Sequence, residues 1–163
     1  MSAATQHSHE HEHEHDQLVL PLEMPLNYFS RYVGIPTVKG GRDRYGVDCY
    51  GLLWLVYRET WGIELPPYDE KYASPLDRVM VQKIMRDELD THDEWSEIEL
   101  GDARQGDALL ILSLGSAIHI GLVLGRRLLL HSPTIGESVI EDYTQTRLNR
   151  VIVGAYRHER FST

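Results

Sequence analysis

The chain of 163 residues contains a single cysteine, Cys49, so neither an internal disulfide nor a cysteine-cluster metal site can form. No apolar run approaches the ~20 residues that a membrane-spanning helix needs. Cationic excess is missing too. Sixteen Lys plus Arg against twenty-five Asp plus Glu give a formal charge of −9, which argues against a nucleic-acid backbone as the main partner, because phosphate binding needs clustered cations. The amino terminus lacks the basic start, apolar stretch and small-residue cleavage site of a secretory signal, so export by the general route is not expected. No internal repeat is visible. What is present is an ordinary globular composition, 42% hydrophobic and 25% charged, at a length that fits one domain.

Residues 1–16, MSAATQHSHEHEHEHD, form a polar tail without apolar periodicity. His9, His11, His13 and His15 alternate with acids. An extended chain would put these imidazoles on one side, where they could chelate a divalent metal weakly. From Gln17 to the end the pattern is that of a single domain, 17–163. A helix is expected near Pro25–Val33, ended by Gly34 and Pro36, then a glycine-containing loop over Thr37–Val47. A second helix is expected from about Asp48 to Trp61, because Cys49, Leu52, Leu53, Val56 and Thr60 recur at helical spacing, with Gly62, Pro66 and Pro67 as stops. Pro75–Leu89 reads as a surface helix, and the acidic run Asp87–Asp102 as a solvated connection. After Gly106 come short apolar, β-branched segments over 107–114, 117–125, 128–133, 138–143 and 151–158, which read as successive antiparallel strands. Helices first and strands afterwards predict an α+β domain with N-terminal helices packed on a C-terminal antiparallel sheet.

Cys49 falls in the first turn of the second expected helix, where unpaired backbone N–H groups and the positive end of the helix dipole favour a thiolate. The same donors could stabilise an oxyanion formed when the sulfur attacks a carbonyl. Asp48 opposes this by raising the thiol pKa, unless its carboxylate turns away to cap the helix. The alternative is a small buried hydrophobe. A nucleophilic thiol needs a histidine, and His119 and His131 are the candidates. If Gly125, Arg126 and Arg127 form a three-residue hairpin loop, Leu124 pairs with Leu128, His119 with Pro133 and His131 with Gly121. The two imidazoles are then diagonal neighbours, about 7–8 Å apart. A two-residue loop would flip the parity and separate them. His92 and His158 are expected at the surface.

These segments resemble the NlpC family of cell-wall cysteine endopeptidases, members of the papain-like clan. The first motif is similar over Tyr32–Pro36, Gly40-Gly41, GVDCYGL from Gly46 to Leu52, and Leu65-Pro66. The second is similar at Gly106-Asp107 followed by HIGL from His119 to Leu122, and the third at His131-Ser132-Pro133. The resemblance covers roughly residues 25–158. It implies a papain-like fold, Cys49 as nucleophile, His119 as general base and acid, and His131 as the third residue orienting the imidazole. It also implies hydrolysis of amide bonds in peptidoglycan stem peptides, often next to γ-D-glutamyl or diamino-acid residues, with no metal or other cofactor. Thr37 stands where many members carry a substrate-contacting Tyr, and Tyr50 replaces a common Ser. With Asp48 these two make up the candidate substrate-binding set.

The DCYGL form is similar to that of peptidases at the tail tips of long-tailed phages and related gene-transfer particles. That resemblance implies a chain made in the host cytoplasm, incorporated in a virion or phage-like particle, with tail-tip or hub proteins as partners. Two other readings stay open: a structural tail-tip subunit that keeps the fold with little or no activity, and a His-rich metal-binding protein.

Overall fold

A computed structural model describes residues 21–67, 94–112, 118–145 and 152–162. The polar tail 1–16, the expected surface helix Pro75–Leu89 and His92 lie outside the described residues.

Pro25 leads into a helical stretch, Leu26–Tyr32, wound as a 3-10 helix. Its two buried side chains, Phe29 and Tyr32, are three apart, and three residues per turn keep both on the inward line. The expected loop that follows contains a small hairpin, β1 (Arg42–Asp43) paired antiparallel with β2 (Gly46–Val47). Helix α1 runs Cys49–Val56 and is capped by Asp48, whose side chain accepts from Gly51 N–H. It continues as one π-helical turn, Tyr57–Trp61, and stops at Gly62, whose left-handed φ of 65° ends the helix without strain. The helix is apolar nearly all round, with Tyr50, Leu52, Leu53, Leu55 and Val56 buried, which marks it as a central helix.

The sheet has six antiparallel strands in the order β3-β8-β4-β5-β6-β7. They are β3 (Trp95–Ile98), β4 (Ala108–Leu112), β5 (Ile118–Gly125), β6 (Leu128–His131), β7 (Val139–Asp142) and β8 (Ile152–His158). β4 to β7 form a meander in chain order, while β8 returns to sit between β3 and β4. Strand β3 corrects the expected solvated connection. Trp95 pairs with His158, is buried, and stacks on Tyr57 at 5.9 Å, while its acidic neighbours Glu94 and Glu97 stay exposed. His158 is a second correction: it is 4% exposed, edge-on to Trp95 and Tyr57, rather than on the surface.

Alternation along the strands splits the apolar side chains between two clusters. Ile120, Leu122, Leu124 and Leu130 join Leu52, Leu53 and Val56 of α1 in the main core. Leu109, Ile111, Val123, Leu129, Tyr143 and Ala155 form the second. Each Leu, Ile or Val side chain among them contributes roughly 1.5–3 kcal/mol on leaving water, before entropy is subtracted. Asp107 is fully buried just before β4, where Arg157 of β8 donates Nε and Nη2 to its two oxygens at 2.9 Å each. Among the described residues no helix is long and apolar enough to cross a membrane.

Candidate active site

The segment before α1 is built by close backbone approach. A side chain at Gly41 would collide with the Gly46 carbonyl, one at Gly46 with Val38, and one at Gly51 with the Gly41 carbonyl oxygen. Glycine is therefore required where the segment leading into β1 lies against β2 and against the first turn of the helix. Asp48 locks that contact. Oδ1 accepts from Gly51 N–H at 2.7 Å and from Arg42 Nη1 at 2.7 Å, while Oδ2 accepts from Gly40 N–H at 3.1 Å. Arg42 also donates to the carbonyls of Gly41 and Pro67. The Asp48 carboxylate is thus held by the loop and the cap.

Cys49 is the first residue of α1 and is half-buried. Backbone N–H groups of Ile120 and Tyr50 reach its sulfur. Its helix-start position suggested a lowered thiol pKa, yet the thiol is pushed up to about 12, by burial first and the neighbouring Asp48 charge second. The two N–H groups and Arg42 pull the other way and do not overcome burial. The resting sulfur carries its proton.

Ile120 directly follows His119 on β5, so the sulfur stands against that strand. The β5–β6 ladder runs through Leu122↔Leu130 and Val123↔Leu129, a register that sets Gly121 opposite His131 in sequence count. The turn is a two-residue one, Arg126 and Arg127 with φ of 50° and 65°. Such a turn alone would have reversed the parity of the two histidines. A bulge between Val123 and Gly125 adds the residue that restores it. His119 Nε2 and His131 Nδ1 lie 2.9 Å apart, with the rings edge to face at 5.1 Å. Burial, and then the proximity of His131, lowers His119 to about 3, so its imidazole is neutral at rest.

His131 is buried, and its Nε2 lies 2.7 Å from Oε2 of Glu141 on β7. No local sequence signal marks Glu141 as a partner of His131. In the β6–β7 register His131 faces Val139, which makes Glu141 its diagonal neighbour two residues on.

Thr37 and Tyr50 tether neighbouring segments to one another. Thr37 Oγ1 donates to the Pro133 carbonyl at 3.0 Å and lies 3.1 Å from Ser132 Oγ, tying the loop before β1 to the segment after His131. Tyr50 is 4% exposed and donates its hydroxyl to Pro66 O at 2.6 Å, bracing Leu65-Pro66 against α1. Among the described residues no three His, Cys, Asp or Glu side chains are grouped to hold a metal ion.

Comparison with known proteins gives a matching family model and several relatives. A model of the NlpC/P60 family matches residues 34–157. The murein DD-endopeptidase MepS/murein LD-carboxypeptidase of Escherichia coli (strain K12) is 23% identical over 128 residues, covering 76% of this chain and 58% of the relative. A γ-D-glutamyl-L-lysine dipeptidyl-peptidase of Bacillus subtilis (strain 168) is 26% identical over 111 residues, covering 66% of this chain and 31% of the relative. The chain therefore spans less than two thirds of the length of either relative. The crystal structure of the NlpC/p60 domain of the peptidoglycan hydrolase SagA superposes with a TM-score of 0.52 at 21% identity, over 80% of this chain and 92% of that domain. The shared fold is the papain-like α+β type.

Proposed function

The chain belongs to the NlpC/P60 family, and from that premise we propose that it is a cysteine peptidase hydrolysing amide bonds in peptidoglycan stem peptides. Cys49 is the nucleophile, His119 the general base and acid, and His131 the residue that orients His119. The observation that carries this reading is the 2.9 Å hydrogen bond between His119 and His131, with the Cys49 sulfur at the N–H of the next residue, Ile120. The substrate class is supported by what the relatives are named for: a murein DD-endopeptidase and LD-carboxypeptidase, and a γ-D-glutamyl-L-lysine dipeptidyl-peptidase.

Thiol and imidazole both start neutral, so the proton leaves sulfur as attack proceeds. His119 Nδ1 takes it while Sγ bonds to the scissile carbonyl carbon, and the N-terminal N–H groups of α1 face the oxyanion that develops. The imidazolium then protonates the leaving amine, which departs as the C–N bond breaks and leaves a thioester on Cys49. Water, deprotonated by His119, attacks the thioester; the thiolate leaves and regains the proton. His131 keeps the ring of His119 in place throughout. The test is digestion of purified muropeptides, with Cys49→Ala and His119→Ala each abolishing turnover while the fold is retained.

The finer assignment is a component of a phage or phage-like tail tip that helps the particle cross the host wall, with tail-tip or hub proteins as neighbours. Its support is the form of the Asp48–Leu52 segment. A second reading, an assembly subunit of little activity, is favoured by the raised thiol and by the buried Tyr50. Particles carrying Cys49→Ala separate the two: failure to cross the wall supports the enzyme, and normal infection supports the assembly role.

A further inference from the structure

The pair of histidines does not by itself say where its protons sit. A neutral imidazole has one N–H and one lone pair, so a bond between His119 Nε2 and His131 Nδ1 can be donated from either side. In one arrangement His119 donates and leaves its Nδ1 free to accept a proton. In the other its Nδ1 already carries one, and the ring cannot act as a base through that atom. The choice is made at the far nitrogen of His131.

That nitrogen faces Glu141. A carboxylate accepts only, so the hydrogen in the 2.7 Å contact belongs to His131 Nε2. When His131 carries that one proton, its lone pair is at Nδ1 and the 2.9 Å bond is donated by His119 Nε2. His119 in turn keeps its own lone pair at Nδ1. The three side chains come from β5, β6 and β7 by two diagonal steps across the sheet, so the β-ladder itself aligns them.

We propose that Glu141 is a positioning residue that fixes the tautomers of both histidines and so leaves His119 Nδ1 as the unprotonated, proton-accepting nitrogen. The catalytic consequence rests on the peptidase reading, whereas the tautomer assignment does not. His131 is 7% exposed and the Glu141 side chain 39% exposed, so the carboxylate can be replaced without opening the core.

The test uses the full chain labelled with ¹⁵N-histidine, as wild type, Glu141→Ala and Glu141→Gln, in long-range ¹H–¹⁵N correlation spectra that report each ring's tautomer. Wild type should show His119 and His131 both protonated at Nε2. Glu141→Ala should populate the Nδ1-protonated form of His131. Its kcat on muropeptides should fall on the order of 10- to 100-fold with KM within about twofold, the range typical of losing a partner that orients a functional side chain. Glu141→Gln keeps an acceptor oxygen at the same reach and should lose less than Glu141→Ala. Where Glu141→Ala fails to fold, Glu141→Gln gives the reading, through a smaller shift of the same kind. The proposal is overturned by a wild-type spectrum with His119 protonated at Nδ1, or by a folded Glu141→Ala whose kcat stays within about twofold of wild type. A wild type without muropeptide turnover would defeat the peptidase reading instead, and the spectra would still decide what Glu141 does.

Discussion

Arg42 Nη1 stands 2.7 Å from Asp48 Oδ1, with both side chains largely shielded from water, and this ion pair holds the carboxylate that precedes the cysteine. The same carboxylate caps α1 and raises the neighbouring thiol. Its two effects can be separated by substitution. Asp48→Asn keeps a capping oxygen and removes the charge, so the pH midpoint for alkylation of Cys49 should fall. Asp48→Ala loses the cap as well and should cost about 1 kcal/mol of stability beyond Asp48→Asn. Arg42→Ala should move the alkylation midpoint upward, because the guanidinium lowers the thiol. With one cysteine in the chain, the alkylation signal has a single source.

Gly106-Asp107 belongs to the sequence pattern that pointed to the family, yet Asp107 has a structural task. It is fully buried and receives two hydrogen bonds from Arg157 and one from the Arg104 N–H. Removing one partner of such a pair strands the other's charge. Asp107→Ala should therefore destabilise the fold by about 3–5 kcal/mol. Urea unfolding followed by tryptophan fluorescence reads this directly, because Trp95 lies on the strand next to Arg157.

Acid should weaken the domain at a pH set by buried histidine. His158 is lowered to about 4, by burial first and the Arg160 charge second, whereas free histidine titrates near 6.5. Between those values the unfolded chain binds the proton that the folded one refuses, so stability falls as pH falls. It is complete above about 6.5 and is lost progressively as pH drops toward 4. His119, lowered to about 3, adds in the same direction. Between about pH 7 and pH 5 the loss from His158 alone is roughly 2 kcal/mol. His158→Gln should flatten that dependence in urea midpoints, and an unchanged slope would contradict the assignment.

The strands were legible because runs such as Ala108–Leu112 and Leu128–His131 carry their apolar signal locally. Strand β3 was not, because Glu94, Glu97 and Glu99 mask its two apolar residues, Trp95 and Ile98, which serve opposite faces of the sheet, until β8 supplies a partner. The histidine pairing followed from the expected register, but by another route. Arg126 and Arg127 at positive φ give no sequence cue for a two-residue turn, and the bulge that restores the parity gives none either. Glu141 was invisible for the same reason: it meets His131 only through the β6–β7 ladder, which no local pattern sets. The thiol's upward shift arises from long-range packing of α1 against the sheet, whereas the helix-start argument sees only the first turn.

The proposed cleavage of amide bonds in peptidoglycan peptides by Cys49 is tested by mass spectrometry of purified muropeptides incubated with wild type and with Cys49→Ala, matched for folding by circular dichroism. Wild type should yield fragments with one new amine and one new carboxylate per cut, and Cys49→Ala should yield none. Equal fragments from both proteins, or none from either, would contradict it.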